Sequence, residues 1–258
     1  MRIFALVVST LFWSYFVLSS CVLWLGALLV FLTTSAFDRR RRLLHLYSSL
    51  WGYHYLLLLP RCRTCIEGRE RIDRSRTYVL VANHQSLFDI PLLYGLFAHF
   101  KWVSKQQVFR VPFLGWNMSM NGYVPFRRGD RKSSAEVLRS CQDHLAKGSS
   151  VLLFPEGTRS LDGELGAFSP GAASMARRAG VQILPVVLDG TREILPKHGF
   201  AFDLSARHRP RVRVLEAIDP SSADPQETSE AVRRVIGAAL AQMRSESAAI
   251  HGSPTPET

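Results

Sequence analysis

The sequence predicts an α/β protein: a central, mostly parallel or mixed sheet flanked by helices, with a membrane-associated helical hairpin at the N-terminus. Three observations predict it. From residue 77 onward, short apolar runs alternate with helical patterns, the order that builds layered βαβ units. Several of those runs end directly in polar turns, the place where an α/β sheet puts its chemistry. Finally, residues 3–32 contain no charged side chain at all.

As a helix, that uncharged stretch would be about 45 Å long against a hydrocarbon core of about 30 Å. It is expected to be a retained anchor that spans with tilt or lies within one leaflet. It is too long for a signal peptide, and no small-residue cleavage site precedes the charges. Arg39, Arg40, Arg41 and Arg42 follow, which favours the cytoplasmic side for the rest of the chain. Such charges attract anionic headgroups at about 1 kcal/mol each. The expected location is the cytoplasmic face of a membrane, as in a bacterial inner membrane. Residues 43–59 are apolar but carry His45, Ser48, Ser49, Tyr53 and His54. That mixture suits an interfacial helix packed on the first rather than a second span, ended by Pro60. Residues 1–60 are therefore read as the anchor.

The net charge of +11 leaves nucleic acid or an anionic membrane surface as partner. The anchor favours the membrane, because much of the charge lies beside it. The four cysteines make no disulfide framework. Cys62 and Cys65 form a lone CxxC without a second pair or a nearby histidine, so neither a zinc site nor a redox motif is expected.

Residues 61–76 hold six arginines and three acids and read as a solvated connector that opens a catalytic unit at 61–245. Strands are expected at 77–82, 101–103, 121–125, 150–154, 181–188 and 211–216. Helices are expected at 87–98, 131–147, 170–179 and 227–244. Pro185, inside the fifth strand, suggests a sheet edge or a bulge. The small, polar, proline-containing residues 246–258 read as a disordered tail.

Three strand-end turns carry candidate chemistry. After the run 77–82 comes Asn83-His84-Gln85-Ser86-Leu87-Phe88-Asp89. On one regular helix, five residues turn the side chain by about 140°. His84 and Asp89 can therefore meet only if His84 lies in the turn and Asp89 in the first helical turn, with Ser86 as a possible N-cap. Such a pair is a general base with its orienting acid. The second turn, residues 122–128 (GYVPFRR), puts Arg127 and Arg128 at the exit of a short strand. Paired guanidiniums there suit a phosphate, although a basic, membrane-attracting surface would look the same. The third turn is residues 154–160 (FPEGTRS). Gly157 allows close backbone approach, Thr158 and Ser160 offer hydroxyls, and Arg159 offers a planar cation. Glu156 could anchor an arginine or receive a substrate hydroxyl.

With the apolar–proline block around Pro185, these turns resemble in order and spacing the glycerophospholipid acyltransferase family, most closely the 1-acyl-sn-glycerol-3-phosphate acyltransferases. The blocks are NHxxxxD at residues 83–89, the glycine–arginine block at 122–128, and an unbroken FPEGTRS. The likeness covers roughly residues 77–190. It implies that His84 removes the proton from an acceptor hydroxyl as that oxygen attacks a thioester carbonyl, while Asp89 fixes the imidazole tautomer. A free imidazole titrates near pH 6.5, so its neutral form dominates in a cytoplasm. The resemblance assigns Arg128 and Arg159 to the acceptor phosphate, with Glu156, Gly157 and Thr158 shaping that pocket and Lys105 as a lesser contact. It implies no cofactor and no metal. The cosubstrate is acyl-CoA or acyl carrier protein, the acceptor a lysophospholipid, and the product phosphatidate. One departure stands out. Family members often have a lysine after the phenylalanine beyond the third block (FKxGA), where this chain has Phe168-Ser169-Pro170-Gly171-Ala172. A different lysophospholipid or a hydroxylated aminolipid therefore stays open as acceptor. A metal-dependent hydrolase using His84, Asp89 and Glu156 lacks a supporting histidine cluster. A non-enzymatic lipid binder would leave the histidine–acid pair unexplained.

Overall fold

The structure is a computed structural model that describes residues 2–60, 62–204 and 209–252. Its strands are β1 (Cys65–Glu67), β2 (Tyr78–Ala82), β3 (Phe100–Lys105), β4 (Val124–Phe126), β5 (Ser150–Leu153), β6 (Gln182–Asp189) and β7 (Arg211–Val214). They form one sheet in the order β1-β7-β6-β2-β5-β3-β4. The five strands from β6 to β4 are mutually parallel, and β7 joins β6 antiparallel while pairing β1 in parallel. The sheet is thus mixed. All five parallel strands deliver their carboxyl ends, and the turns that follow, to one edge.

The helices are α1 (Arg2–Thr34), α2 (Arg42–Leu57), α3 (Asp89–Tyr94), α4 (Leu114–Met120), α5 (Arg131–Ala146), α6 (Gly171–Ala179), α7 (Thr191–Ile194) and α8 (Pro225–Gly252). Period-two alternation in the strands supplies a core on each face of the sheet. Tyr78, Leu80 and Ala82 of β2 pack with Phe12, Leu44, Trp51, Tyr55 and Leu92 from α1, α2 and α3. Val79 and Val81 pack instead with Leu145, Met175, Ile236 and Leu240 from α5, α6 and α8.

The two N-terminal helices form the expected hairpin. Ser19 lies 2.9 Å from the Tyr55 hydroxyl, and the Tyr47 hydroxyl donates to the carbonyl of Leu23 at 3.0 Å. Gly26 makes this approach possible, since a Cβ there would meet the Tyr47 hydroxyl at 2.2 Å. Stretch Ile3–Thr34 is long and apolar enough to cross a membrane, and only 11% of its most hydropathic window is buried. Leu6, Leu11, Leu18, Leu25 and Leu32 point outward, as do Leu43, Leu46, Leu50 and Leu57 of α2.

Five expectations are corrected. The connector contains β1, whose Glu67 receives Arg211 and Arg213 at 2.7 and 2.6 Å; a three-residue strand has no readable period, and its partner lies far along the chain. Pro185 is in an interior strand, opposite Val81 of β2. Its carbonyl accepts from the amide of Leu215, just past the end of β7, so its missing N–H falls where that ladder stops. The first catalytic-unit helix is only Asp89–Tyr94, with Phe88 at its N-cap position and no side-chain cap. Ser86 instead accepts the amide of Phe88 and donates to the carbonyl of Leu195. Lastly, the expected tail from 246 is helical as far as Gly252, where Glu246 binds Arg213 at 2.7 Å; residues 253–258 lie outside the described residues. The segments 114–120 and 191–194 are helices that the sequence reading passed over.

Candidate active site

Strand β2 ends at Ala82 and the polar turn begins. Asn83 fixes its exit: its side chain donates to the carbonyl of Leu188 and accepts the Leu188 amide, both at 2.8 Å. His84 follows, 16% exposed, with Nδ1 2.7 Å from Oδ2 of Asp89, which is fully buried. The same oxygen accepts the amides of Gln85 at 2.6 Å and Ser86 at 2.9 Å. The other carboxylate oxygen accepts the hydroxyl of Thr191. A carboxylate so supplied with donors is an acceptor toward Nδ1, which puts the imidazole lone pair on Nε2. The ring stacks on Phe154, with centroids 3.9 Å apart and planes 9° from parallel. Three neighbours thus hold the base: an acid, an aromatic face and its own backbone.

Glu156 supplies the backbone restraint. Its Oε1 accepts the amide of His84 at 2.9 Å and its Oε2 the amide of Gly166 at 3.0 Å. Both oxygens accept from main chain, which ties this carboxylate to the backbone of the base. Burial raises its pKa, opposed by the two amide bonds and by His84. Gly157 has φ +65°, a conformation that a side chain would strain, and a Cβ there would lie 3.4 Å from the Arg128 guanidinium. The second and third turns therefore meet at Gly157.

The cations line the same edge. Arg128 is exposed beyond β4, in a segment fixed by Asp130, which caps α5 by accepting the amides of Lys132 and Ser133. Arg127 is turned aside, its amide on the hydroxyl of Ser133 and its guanidinium on Gln106. Lys105 ends β3, exposed, in register with Phe126. Arg159 is half-buried; desolvation lowers its pKa and the nearby Asp89 charge opposes this. Thr158, beside it, is half-buried too. Among the described residues, no group of three or more His, Cys, Asp or Glu is placed to hold a metal ion.

The sequence reading brought His84 and Asp89 together and put the arginines at the right edge, but it missed Thr191, Phe154 and the structural work of Asn83. A signal for Thr191 existed in Asp189-Gly190-Thr191, another polar glycine turn directly after an apolar strand.

A pre-oriented imidazole beside an open basic rim has the makeup of a general base set next to an anion-binding surface. Residues 63–189 match the family described as Acyltransferase. The chain is similar to a chloroplastic 1-acyl-sn-glycerol-3-phosphate acyltransferase from Arabidopsis thaliana, 44% identical over 61% of this chain and 44% of that one. It is also similar to a lyso-ornithine lipid O-acyltransferase from Pseudomonas aeruginosa, 35% identical over 45% of this chain and 44% of that one. The crystal structure of the 1-acyl-sn-glycerophosphate acyltransferase PlsC from Thermotoga maritima superimposes with a TM-score of 0.75 at 27% identity, covering 94% of this chain and 97% of that one. The matched stretch spans a little under half the length of the first curated relatives, 44–48%.

Proposed function

We propose that the protein transfers a fatty acyl group from a thioester donor to the sn-2 hydroxyl of 1-acyl-sn-glycerol 3-phosphate, giving phosphatidate. The observation that carries this reading is the His84–Asp89 pair at 2.7 Å, set at the edge to which the basic turns converge. Nε2 of His84 takes the proton of the acceptor hydroxyl as its oxygen adds to the thioester carbonyl. The tetrahedral adduct then collapses, the C–S bond breaks, and His84 returns the proton to the departing thiolate. The nucleophile is the acceptor's own oxygen, so no acyl-enzyme forms. Asp89 stabilises the imidazolium during the transfer.

Arg159 and Arg128 hold the acceptor phosphate, with Lys105 as an outer contact; Gly157 and Thr158 shape the pocket between them. The acyl donor is acyl-CoA or acyl carrier protein, and no further cofactor takes part. The hairpin docks on the cytoplasmic face of the membrane, an inner membrane if the source is bacterial, so that lysolipid enters from the leaflet. A second reading has specific support: the lyso-ornithine lipid relative and Ser169 in place of a lysine both favour testing an aminolipid acceptor.

The test is His84→Ala in the full chain, assayed with both donor types on lysophosphatidate and on lyso-ornithine lipid, with products read by mass spectrometry. Loss of a general base lowers turnover by about two to four orders of magnitude, with membrane association unchanged. Wild-type turnover in that variant would remove the base assignment. Transfer to the aminolipid alone would replace the acceptor but keep the chemistry.

A further inference from the structure

The loop after Arg159 crosses the open edge without regular secondary structure. Main-chain carbonyls in such a loop ordinarily turn to water. Here five of them are taken by cationic side chains from other elements. Lys197 donates to the carbonyl of Arg159 at 2.7 Å, Arg192 to Leu161 at 3.1 Å and Arg244 to Gly163 at 2.6 Å. Arg233 of α8 donates to two successive carbonyls, Gly166 through Nε at 2.8 Å and Leu165 through a terminal nitrogen at 3.0 Å.

Arg233 differs from the others in what lies next along the chain of contacts. The amide of Gly166, whose carbonyl Arg233 holds, donates to Glu156, and the other oxygen of Glu156 accepts the amide of His84. Three consecutive hydrogen bonds thus connect the first half of α8 to the main chain of the base. The planar fork of a guanidinium suits two adjacent carbonyls in a way that the single ammonium of lysine does not. Helix α8 lies wholly outside residues 63–189, the stretch that matches the family.

We infer that Arg233 is a positioning residue for acyl transfer: by clamping Leu165 and Gly166 it seats Glu156, and through Glu156 it sets the height of His84 at the strand end. It touches no substrate. The inference rests on His84 being the base. Because Arg233 acts on the base and not on the phosphate-binding arginines, its loss lowers kcat and spares the KM of both substrates.

The experiment uses the purified full chain in phospholipid vesicles, with lysophosphatidate and acyl-CoA or acyl carrier protein, whichever serves wild type. Arg233→Ala, Arg233→Lys, Arg177→Ala and His84→Ala are compared for kcat, both KM values and Tm. Arg177 is the control: it makes the same kind of bond, to the carbonyl of Ala223 at 3.2 Å, ahead of α8 and away from the site. A misplaced catalytic group costs up to roughly a hundredfold, so Arg233→Ala is expected to lose about ten- to a hundredfold in kcat with unchanged KM, and Arg233→Lys to recover part of it. Arg177→Ala should keep wild-type kcat whatever its Tm. If Arg233→Ala does not fold, the fall in kcat at constant KM is read from Arg233→Lys. Unchanged kcat in the Arg233 variants, a loss confined to KM, or an equal fall in Arg177→Ala would overturn the positioning role. Activity retained in His84→Ala would instead remove the base itself, whereas an inactive His84→Ala beside fully active Arg233 variants removes only this inference.

Discussion

Asp89 is a junction as well as a partner for an imidazole. Its two oxygens, fully buried, take four donors: the His84 ring, the amides of Gln85 and Ser86, and the hydroxyl of Thr191. Replacing Thr191 by valine keeps the shape but leaves one carboxylate oxygen short of a donor. A buried acceptor so abandoned costs about 1–3 kcal/mol. The expected outcome is a lower Tm together with a kcat reduced by roughly tenfold, since the acid that orients the base is then free to tilt; a thermal melt and steady-state kinetics on Thr191→Val check both. The His84–Asp89 pair was legible in the sequence because it is local, five residues across one turn. Thr191 was not, because it reaches Asp89 only after β6 is laid beside β2. The two main-chain amides on Glu156 were hidden for a related reason, since His84 reaches it only after β2 is laid beside β5.

At the scale of elements, the apolar runs located six strands, five of which end at the common edge, because a short apolar run and the turn residues after it are local signals. What escaped depends on pairing. β1 is defined by the ladder to β7 and by Glu67 between two arginines, and the end of α8 by Glu246 on the same arginines. The opposite edge of the sheet, where α2 meets the start of β3, carries a buried basic cluster with a stability consequence. Lys101 donates to the carbonyls of Arg40 and Asn121, and burial pushes its pKa down to about 8. His99 is pushed down to about 3 by burial first, then by Lys101, Arg42, Arg40 and His144. Burial also lowers His45 well below its ordinary value. A histidine kept neutral by the fold is protonated more readily in the unfolded chain, so stability is full above its free value of 6.5 and declines as pH falls toward 3. His99→Gln should therefore flatten the fall of Tm between about pH 6.5 and 4 without abolishing it, because His45 still contributes. Melting curves across that range decide the matter, and an unaltered slope would refute it.

At the scale of the whole molecule, the outward faces of α1 and α2 are lined by exposed leucines, and Leu87, in the His84–Asp89 turn, and Phe200 are exposed too. A charge on that surface should detach the protein without touching the chemistry. Burying an acid at the centre of a membrane helix costs about 2.5–3.5 kcal/mol, so Leu18→Glu is expected to lower partition into vesicles by roughly tenfold or more while turnover on detergent-dispersed substrate persists. Vesicle flotation and a micellar assay separate the two quantities.

The first half of α1 is also bound to the rest of the chain. Phe12 lies edge-on to Phe202 at 4.8 Å and against Phe88 at 5.9 Å, Ser9 accepts the amide of Phe202, and Trp13 donates to the carbonyl of Phe200. Phe88 immediately precedes the acid of the catalytic pair. The N-terminal helix is thus packed onto the segment that carries Asp89, and it cannot be traded as a cassette for another hydrophobic leader of equal length. A chimaera would need to reproduce the aromatic inlay at positions 12 and 13, and a trimmed version would strip Phe88 and Phe202 of their cover.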